Sequence, residues 1–208
     1  MREIKFRGKS EETGAWVYGS LVGGHQPYIL GEIIEADPEY IIPEFWEPVD
    51  PKTVGQFTGL HDKNGVEIYE GDVVEFRVPA RNEQTHTGDN VPLGSYTEPL
   101  DPYIKRVVEV VKFKNGQFGI EDDSWEDGEL SPLYVQIAIA NPPNISQMKE
   151  GFWGSWNMEG RGYMWAGEDG DLAFLLDQYD LKTEADLFDY LGARVIGNVH
   201  DNPEIEVS

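Results

Sequence analysis

Cysteine is absent from this chain of 208 residues. A fold held together by disulfides, a zinc site built on thiolates and a cysteine nucleophile are therefore all excluded. A chain of this length buries about 70% of the surface that its unfolded form exposes, so it needs no metal or cross-link to fold. The lack of cysteine also fits a reducing compartment.

Long apolar runs are missing as well. The first residues carry charges at Arg2, Glu3, Lys5 and Arg7, which leaves no room for the apolar core of a signal peptide. No segment approaches the roughly 20 apolar residues that span a bilayer. We therefore expect a cytoplasmic protein with no membrane partner.

Basic residues are scarce. The chain has 39 acidic and 16 basic residues, a formal net charge of −23, and no lysine or arginine between Lys9 and Lys52. Such a surface repels nucleic-acid phosphates and anionic lipids, so we expect no direct nucleic-acid partner. The charge either serves solubility alone or imitates DNA phosphates to occupy a host protein, and we favour the first.

A metal site is not indicated. The histidines lack the helical or hairpin spacing that pairs metal ligands; they are His25, His61, His86 and His200. The acidic loop from Asp122 to Gly128 lacks the pattern of a calcium-binding EF-hand. Counting from Asp122, the sixth position is Asp127 rather than glycine, and the twelfth is Leu133 rather than glutamate.

Catalytic motifs are also missing. No Gly-x-Ser-x-Gly, phosphate-binding or dinucleotide-binding pattern occurs, and Ser155 has no identifiable histidine partner. We therefore expect no catalytic residue and no cofactor, and we predict that the chain is not an enzyme. A metal-dependent hydrolase built on clustered carboxylates stays open as an alternative.

Alternating apolar residues and turn signals are what the chain does contain. Asn64-Gly65 and Asn115-Gly116 are each typical of a type I′ turn, in which both central residues take positive φ. The second turn places Phe113 opposite Phe118. In the opening strand, Ile4 and Phe6 share one face while Lys5 and Arg7 share the other.

Other segments break this pattern. Residues 79–103 have no periodicity and carry four prolines, which predicts a flexible loop inserted between two strands. Residues 171–179 have the spacing of a short amphipathic helix. A second helix begins after Thr183, with Asp186 completing a capping box, and a final strand covers 194–199.

The segment from 141 to 170 is rich in glycine and aromatic residues. Its tryptophans Trp153, Trp156 and Trp165 either pack together as a small core of their own or form an exposed platform for a partner protein. We favour the core, and we keep the three residues as possible partner-binding residues.

Three stretches of the sequence together resemble the YopX family of phage and prophage proteins. They are MREIKFRG at 1–8, VGQFTGLHDKNGVEIYEGDVVEF at 54–76 and ARVIGNVHDNPEI at 193–205. The resemblance implies an SH3-type barrel, a phage or prophage origin in a bacterial host, and self-association. It implies no enzyme activity, and the long aromatic insertion lies outside the pattern.

We therefore predict a mainly β fold: an SH3-type barrel with long insertions and one or two short helices near the C-terminus. The barrel is assigned residues 1–140 and 193–208, with the loop 79–103 inserted, and residues 141–192 form the aromatic, glycine-rich insertion. We expect a non-enzymatic accessory protein that binds a host or phage protein or assembles into a homo-oligomer. The alternatives are an acidic DNA mimic and the hydrolase.

Overall fold

The computed structural model describes residues 4–87, 95–121, 130–132 and 171–207. This part of the chain is mainly β with short helices near the C-terminus, which confirms the predicted fold class. A 3-10 turn covers Pro51–Thr53, and the α-helices are α1 (Asp171–Gln178) and α2 (Glu184–Leu191). The strands are β1 Phe6–Lys9, β2 Trp16–Val22, β3 Tyr28–Leu30, β4 Ile33–Asp37, β5 Tyr40–Pro43, β6 Trp46–Pro48, β7 Gly55–His61, β8 Glu67–Tyr69, β9 Asp72–Thr87, β10 Ser95–Val110, β11 Lys112–Lys114, β12 Gln117–Glu121, β13 Leu130–Pro132 and β14 Arg194–Asn198.

The largest sheet has six strands in the order β6-β3-β2-β1-β7-β8. An antiparallel bridge between Ser10 and Val49 joins the residue after β1 to the residue after β6, so the sheet curls back toward its own middle. Apolar side chains from this sheet and the residues next to it are fully buried, among them Ile29, Val49 and Ile68. The curled sheet is compatible with the predicted SH3-type barrel, which stays a prediction in its detail.

The Asn115-Gly116 hairpin forms as predicted. Both residues have positive φ, 53° and 83°, and the register pairs Phe113 with Phe118, whose ring centroids lie 4.8 Å apart. Asparagine and glycine adopt positive φ with less strain than other residues, which is why they occupy the two central positions of such a turn. This hairpin is β11–β12, and β13 extends it to a three-stranded sheet.

The turn at Asn64-Gly65 is different from the one predicted. Gly65 has φ of 81°, but among the described residues outside glycine only Asn115 and Asp180 have positive φ, so this is not a type I′ turn. Asp62 sets the geometry instead. Its carboxylate accepts the amides of Asn64 at 2.7 Å and Val66 at 2.9 Å, and its carbonyl accepts the amide of Gly65. A buried side-chain acceptor thus overrides the dipeptide signal.

The prediction of a flexible loop over 79–103 is wrong for the residues of this segment that the structure describes. Residues 79–87 belong to β9 and residues 95–103 to β10, two strands of 16 residues each that neighbour one another in the order β10-β9-β14. Strands pair through their backbones, so a ladder does not need an alternating apolar face. The prolines in these segments remove single donors, and strands tolerate that where no ladder partner needs them.

Both predicted helices form near the C-terminus. At the start of α2 the Thr183 hydroxyl accepts the Asp186 amide at 3.1 Å, and the Asp186 carboxylate accepts the Thr183 amide at 2.8 Å. This is the predicted capping box, and it lowers the pKa of Asp186, chiefly through the hydrogen bond from Thr183. Leu175 of α1 and Leu187 of α2 are buried.

The chain forms two compact units. The first contains Met1–Val74, Glu109–Val135 and Arg194–Ser208, and the second contains Glu75–Val108 and Gln136–Ala193. This division differs from the predicted one, which placed 75–108 in the barrel. The reason lies within the second unit, where the long strands contact the helices. Tyr179 accepts the Ile104 amide through its hydroxyl oxygen at 2.8 Å, and Arg77 donates to the Tyr190 carbonyl at 3.2 Å.

Candidate protein-binding site

The three sequence stretches that carry the family resemblance meet in the first unit. β1 comes from the opening stretch, β7 and β8 from the second, and β14 from the last, and backbone hydrogen bonds connect them. Their meeting point is a buried ion pair in which Nη2 of Arg7 lies 2.6 Å from Oδ1 of Asp72. Arg7 lies on the strand face opposite Phe6, as the alternation predicts, and it is Arg7 that is buried while Ile4 is exposed.

Aromatic rings enclose the Arg7 guanidinium. Its Cζ lies 4.6 Å from the ring centroid of Trp16 and 4.8 Å from that of Tyr69. Its Nη2 also donates to the Glu70 carbonyl at 3.2 Å, and its buried Nε has no hydrogen-bond partner in the described structure. Cation–π contacts of this kind partly replace the hydration that a buried arginine loses.

Asp72 lies almost wholly out of solvent. Burial raises the pKa of Asp72, and the Arg7 charge and the Tyr69 amide, which donates to Oδ2 at 2.8 Å, offset this only in part. Burial also raises the pKa of Tyr69, and its hydroxyl donates to Glu67 at 2.6 Å. Asp72 and Tyr69 are both buried, and the arrangement has the character of a structural ion pair.

A second ion pair lies next to Trp16, one of the two rings around Arg7. Asp201 pairs with Lys9, accepts Nε1 of Trp16 at 2.6 Å and accepts Nδ2 of Asn198 at 2.8 Å. The hydrogen bonds from Asn198, Lys9 and Trp16 hold the pKa of Asp201 well below its usual range. Burial, followed by the Arg7 and Lys9 charges, lowers the pKa of His200. We call this set of residues the anchor cluster: Arg7, Lys9, Trp16, Tyr69, Asp72, Asn198, His200 and Asp201.

Residues 31–45 form a hairpin arm that, unlike the anchor cluster, exposes apolar side chains. It continues the β3–β6 pair outward, since Leu30 pairs with Trp46, the Gly31 amide donates to the Phe45 carbonyl, and the Glu44 amide donates to the Glu32 carbonyl. β4 and β5 then form their own two-stranded sheet. The sequence signal for these strands is two short isoleucine-rich runs on either side of Asp37-Pro38-Glu39.

The arm exposes large apolar side chains. Ile34 is 70% exposed, and it occupies the register shift between Ile33 and Glu35, where one extra residue has no partner opposite. Others on or beside the arm are each 45% to 50% exposed: Ile33, Tyr40, Ile41, Ile42 and Trp46. Exposed apolar residues are common singly, but a cluster of them is typical of an interaction surface.

Carboxylates are interspersed with these apolar residues. The arm carries five exposed acidic residues, which are Glu32, Glu35, Asp37, Glu39 and Glu44. Tyr40 donates to Oε1 of Glu35 at 2.5 Å, and this hydrogen bond is the main cause of the raised pKa of Tyr40. The arm is therefore a protruding surface that is both apolar and acidic.

The residues singled out from the sequence do not come together. Trp153, Trp156 and Trp165 and the acidic loop from Asp122 to Gly128 lie outside the described residues. His61 packs against Phe57, with ring centroids 5.5 Å apart, whereas His200 lies 6.0 Å from Trp16. Within the described ranges no three His, Asp or Glu side chains are arranged to hold a metal ion. Neither described helix has the length and apolar character needed to cross a membrane.

The fold and the arm define a mainly β protein with an exposed apolar hairpin. Residues 5–139, more than half of the chain, match the model of the YopX protein family, and the chain belongs to that family. The match ends before the third stretch of the resemblance, at 193–205. A search of curated proteins finds no match. Among solved structures the chain is similar to protein EF1440 from Enterococcus faecalis, with 16% identity, 98% of each chain covered and a TM-score of 0.43.

Proposed function

We propose that this YopX-family protein is a phage or prophage accessory protein without enzyme activity, and that it acts by binding a protein partner through the hairpin arm. The observation that carries the proposal is the cluster of isoleucines exposed on the arm. A partner that covered these side chains would gain about 25 cal/mol of binding free energy for each Å² of apolar surface removed from water. Interface cores are typically built from surfaces of this kind.

The anchor cluster supports the non-enzymatic part of the proposal. Its two carboxylates with shifted pKa, Asp72 and Asp201, are both held in ion pairs. Shifted pKa values identify catalytic groups only where a substrate can reach them, and structural ion pairs shift pKa values as well. Asp72 is 2% exposed, which leaves no approach for a substrate.

Self-assembly is the second form of the proposal. An exposed edge or apolar hairpin can pair with another copy, and closed symmetric oligomers are the usual result. Sedimentation velocity over a wide concentration range tests it. A species that dissociates when the arm isoleucines are replaced would support self-assembly, and a strict monomer at the highest concentration would remove it.

The main experiment compares two triple variants in affinity capture from lysate of a phage-producing host. The arm variant is Ile34→Ser/Ile41→Ser/Ile42→Ser. The matched control replaces equally exposed apolar residues elsewhere: Ile4→Ser/Val66→Ser/Val207→Ser. A captured protein is identified by mass spectrometry and purified, and its Kd is measured by titration calorimetry.

We expect the arm variant to bind the purified partner at least about tenfold more weakly, while the control variant binds like the wild type. Equal affinity of all three proteins would overturn the arm as the binding surface. A further variant, Trp153→Ala/Trp156→Ala/Trp165→Ala, tests the partner-binding role that the sequence suggests for these tryptophans. If it alone loses the partner, binding lies in the aromatic segment and not on the arm.

A further inference from the structure

The chemistry of the arm also indicates what kind of partner fits it. We infer that its occupant is a protein surface that presents lysine or arginine side chains around apolar ones, and not a second copy of this chain. The inference rests on the proposed function, because it assumes that the arm is a docking surface. It adds the charge of the partner and the way in which the partner approaches.

The carboxylates of the arm lie in a segment of the chain without basic residues. Residues 10–51 contain no lysine or arginine. None of the five arm carboxylates forms an ion pair with a described lysine or arginine. Three other acidic residues of the first unit do form ion pairs: Glu67 with Lys5, Asp72 with Arg7, and Asp201 with Lys9. The negative potential of the arm is therefore uncompensated within the described chain, and complementary charge attracts and orients a partner.

The register of the hairpin places carboxylates and apolar side chains on the same face of the arm. Glu35 lies opposite Ile42 and Asp37 lies opposite Tyr40, and these four residues share one face. Ala36 lies opposite Ile41 on the other face. One face thus alternates carboxylates with large apolar side chains. A purely apolar occupant would bury Glu35 and Asp37 without a counterion, which is strongly unfavourable, whereas a basic and apolar surface pairs with both kinds of side chain.

A second copy does not satisfy this surface. In a two-fold contact the same patch meets itself, so Glu35 and Asp37 of both copies would be brought close together. Like charges that face one another across an interface disfavour association. Pairing along the strand edge is also hindered, since Pro43 and Pro48 lack the N–H that a ladder uses and the exposed Glu44 lies beside Pro43. The occupant therefore approaches a face of the arm through side chains.

Titration calorimetry with defined peptides tests the inference. The probe is a capped peptide of about ten alternating lysine and valine residues, long enough to cover a hairpin face. Two companions replace its lysines with serine or with glutamate. The arm-neutral variant is Glu32→Gln/Glu35→Gln/Asp37→Asn/Glu39→Gln/Glu44→Gln. The matched control makes the same change in net charge at exposed carboxylates elsewhere: Glu11→Gln/Glu12→Gln/Asp177→Asn/Glu204→Gln/Glu206→Gln.

We expect the lysine peptide to bind the wild type and the matched control with similar Kd and the arm-neutral variant about tenfold or more weakly. Raising the salt to about 0.5 M should weaken binding, because these exposed charges are screened. Amide shifts in NMR spectra should locate the peptide at residues 33–43. Equal weakening of both variants would show general attraction to an acidic protein and would overturn the inference.

The remaining outcomes separate this inference from the proposed function. If the serine peptide binds as tightly as the lysine peptide, the arm recognises apolar residues alone, so the basic partner is wrong while the binding surface stands. If no peptide binds the arm, the basic partner is again overturned, and the capture experiment decides on the surface. A dimer that depends on Ile34, Ile41 and Ile42 would replace the inferred partner with a second copy.

Discussion

The anchor cluster and the hairpin arm belong to the same compact unit and reverse the usual placement of side chains. In the anchor cluster, the charged residues Arg7 and Asp72 are buried. In the arm, four isoleucines from Ile33 to Ile42 are exposed to solvent. The charge is tolerated inside because a partner, aromatic rings and backbone groups surround it.

Each of the two regions depends on a partner. A buried charge stays favourable only while its counterion is present. The exposed isoleucines of the arm bury little apolar surface, so they add little to the stability of the fold. The arm itself is a two-stranded hairpin, which in isolation is at best marginally stable. The anchor cluster thus has its partners within the chain, whereas the arm, in our proposal, has its partner in another protein.

The largest effect is expected from breaking the buried ion pair. Asp72→Asn keeps the size of the side chain but leaves Arg7 charged and buried without a counterion. We expect the free energy of unfolding to fall by about 3–5 kcal/mol, measured by urea denaturation. The control Asp177→Asn removes an exposed carboxylate and should change stability by less than about 0.5 kcal/mol.

The double variant Arg7→Met/Asp72→Leu sharpens this test. Replacing both charges with apolar side chains removes the unpaired ion, so it should be more stable than Asp72→Asn alone. If Asp72→Asn lowers the free energy of unfolding by less than about 1 kcal/mol, the fold does not depend on this ion pair in the way that its burial indicates.

Two isoleucines five positions apart test the contrast directly. Ile29 in β3 is fully buried, whereas Ile34 in β4 is 70% exposed. Ile29→Ala should lower the free energy of unfolding by about 2–5 kcal/mol, because it leaves a cavity. Ile34→Ala should stay within about 0.5 kcal/mol of the wild type. A large loss from Ile34→Ala would mean that the arm stabilises the fold.

The smallest effect concerns pH and the two ion pairs. The folded-state pKa of Asp201 is lowered, so its contribution to stability is present above the ordinary aspartate pKa and is lost as pH falls toward the folded value. Asp201→Asn should cost about 1 kcal/mol at neutral pH, since this carboxylate is partly solvated. The difference between wild type and variant, followed by denaturation at several pH values, should shrink below about pH 4.

Asp72 provides the opposite sign for comparison. Folding raises the pKa of Asp72, so protonation of this group favours the folded state as pH falls through the raised value. If the Asp201→Asn difference does not change between pH 7 and about pH 3, Asp201 does not have the lowered pKa on which this prediction depends.

Local signals in the sequence predicted much of the fold. The Asn115-Gly116 hairpin, the Thr183–Asp186 capping box and the final strand all depend on residues close together in the chain. The errors arose where distant residues decide. Asp62 reshapes the turn at Gly65 and also accepts the amide of Val195, a contact across 133 positions that no local pattern signals.

The candidate site was only half visible in the sequence. The isoleucine runs of β4 and β5 and the missing cations of residues 10–51 can both be read directly. What could not be read is that these isoleucines stay exposed, because the same runs would fit a buried strand equally well. The partner-binding role of Trp153, Trp156 and Trp165 stays a prediction.

The sequence by itself determined the Asn115-Gly116 turn, the capping box of α2, the mainly β character and the excess of negative charge, because these depend on residue type and short spacing. Only the tertiary structure decided that Arg7 is inside and that Ile34 is outside. Burial depends on which segments meet, and that is set by long-range packing. The side chains that meet Arg7, namely Trp16, Tyr69 and Asp72, come from separate strands of the fold.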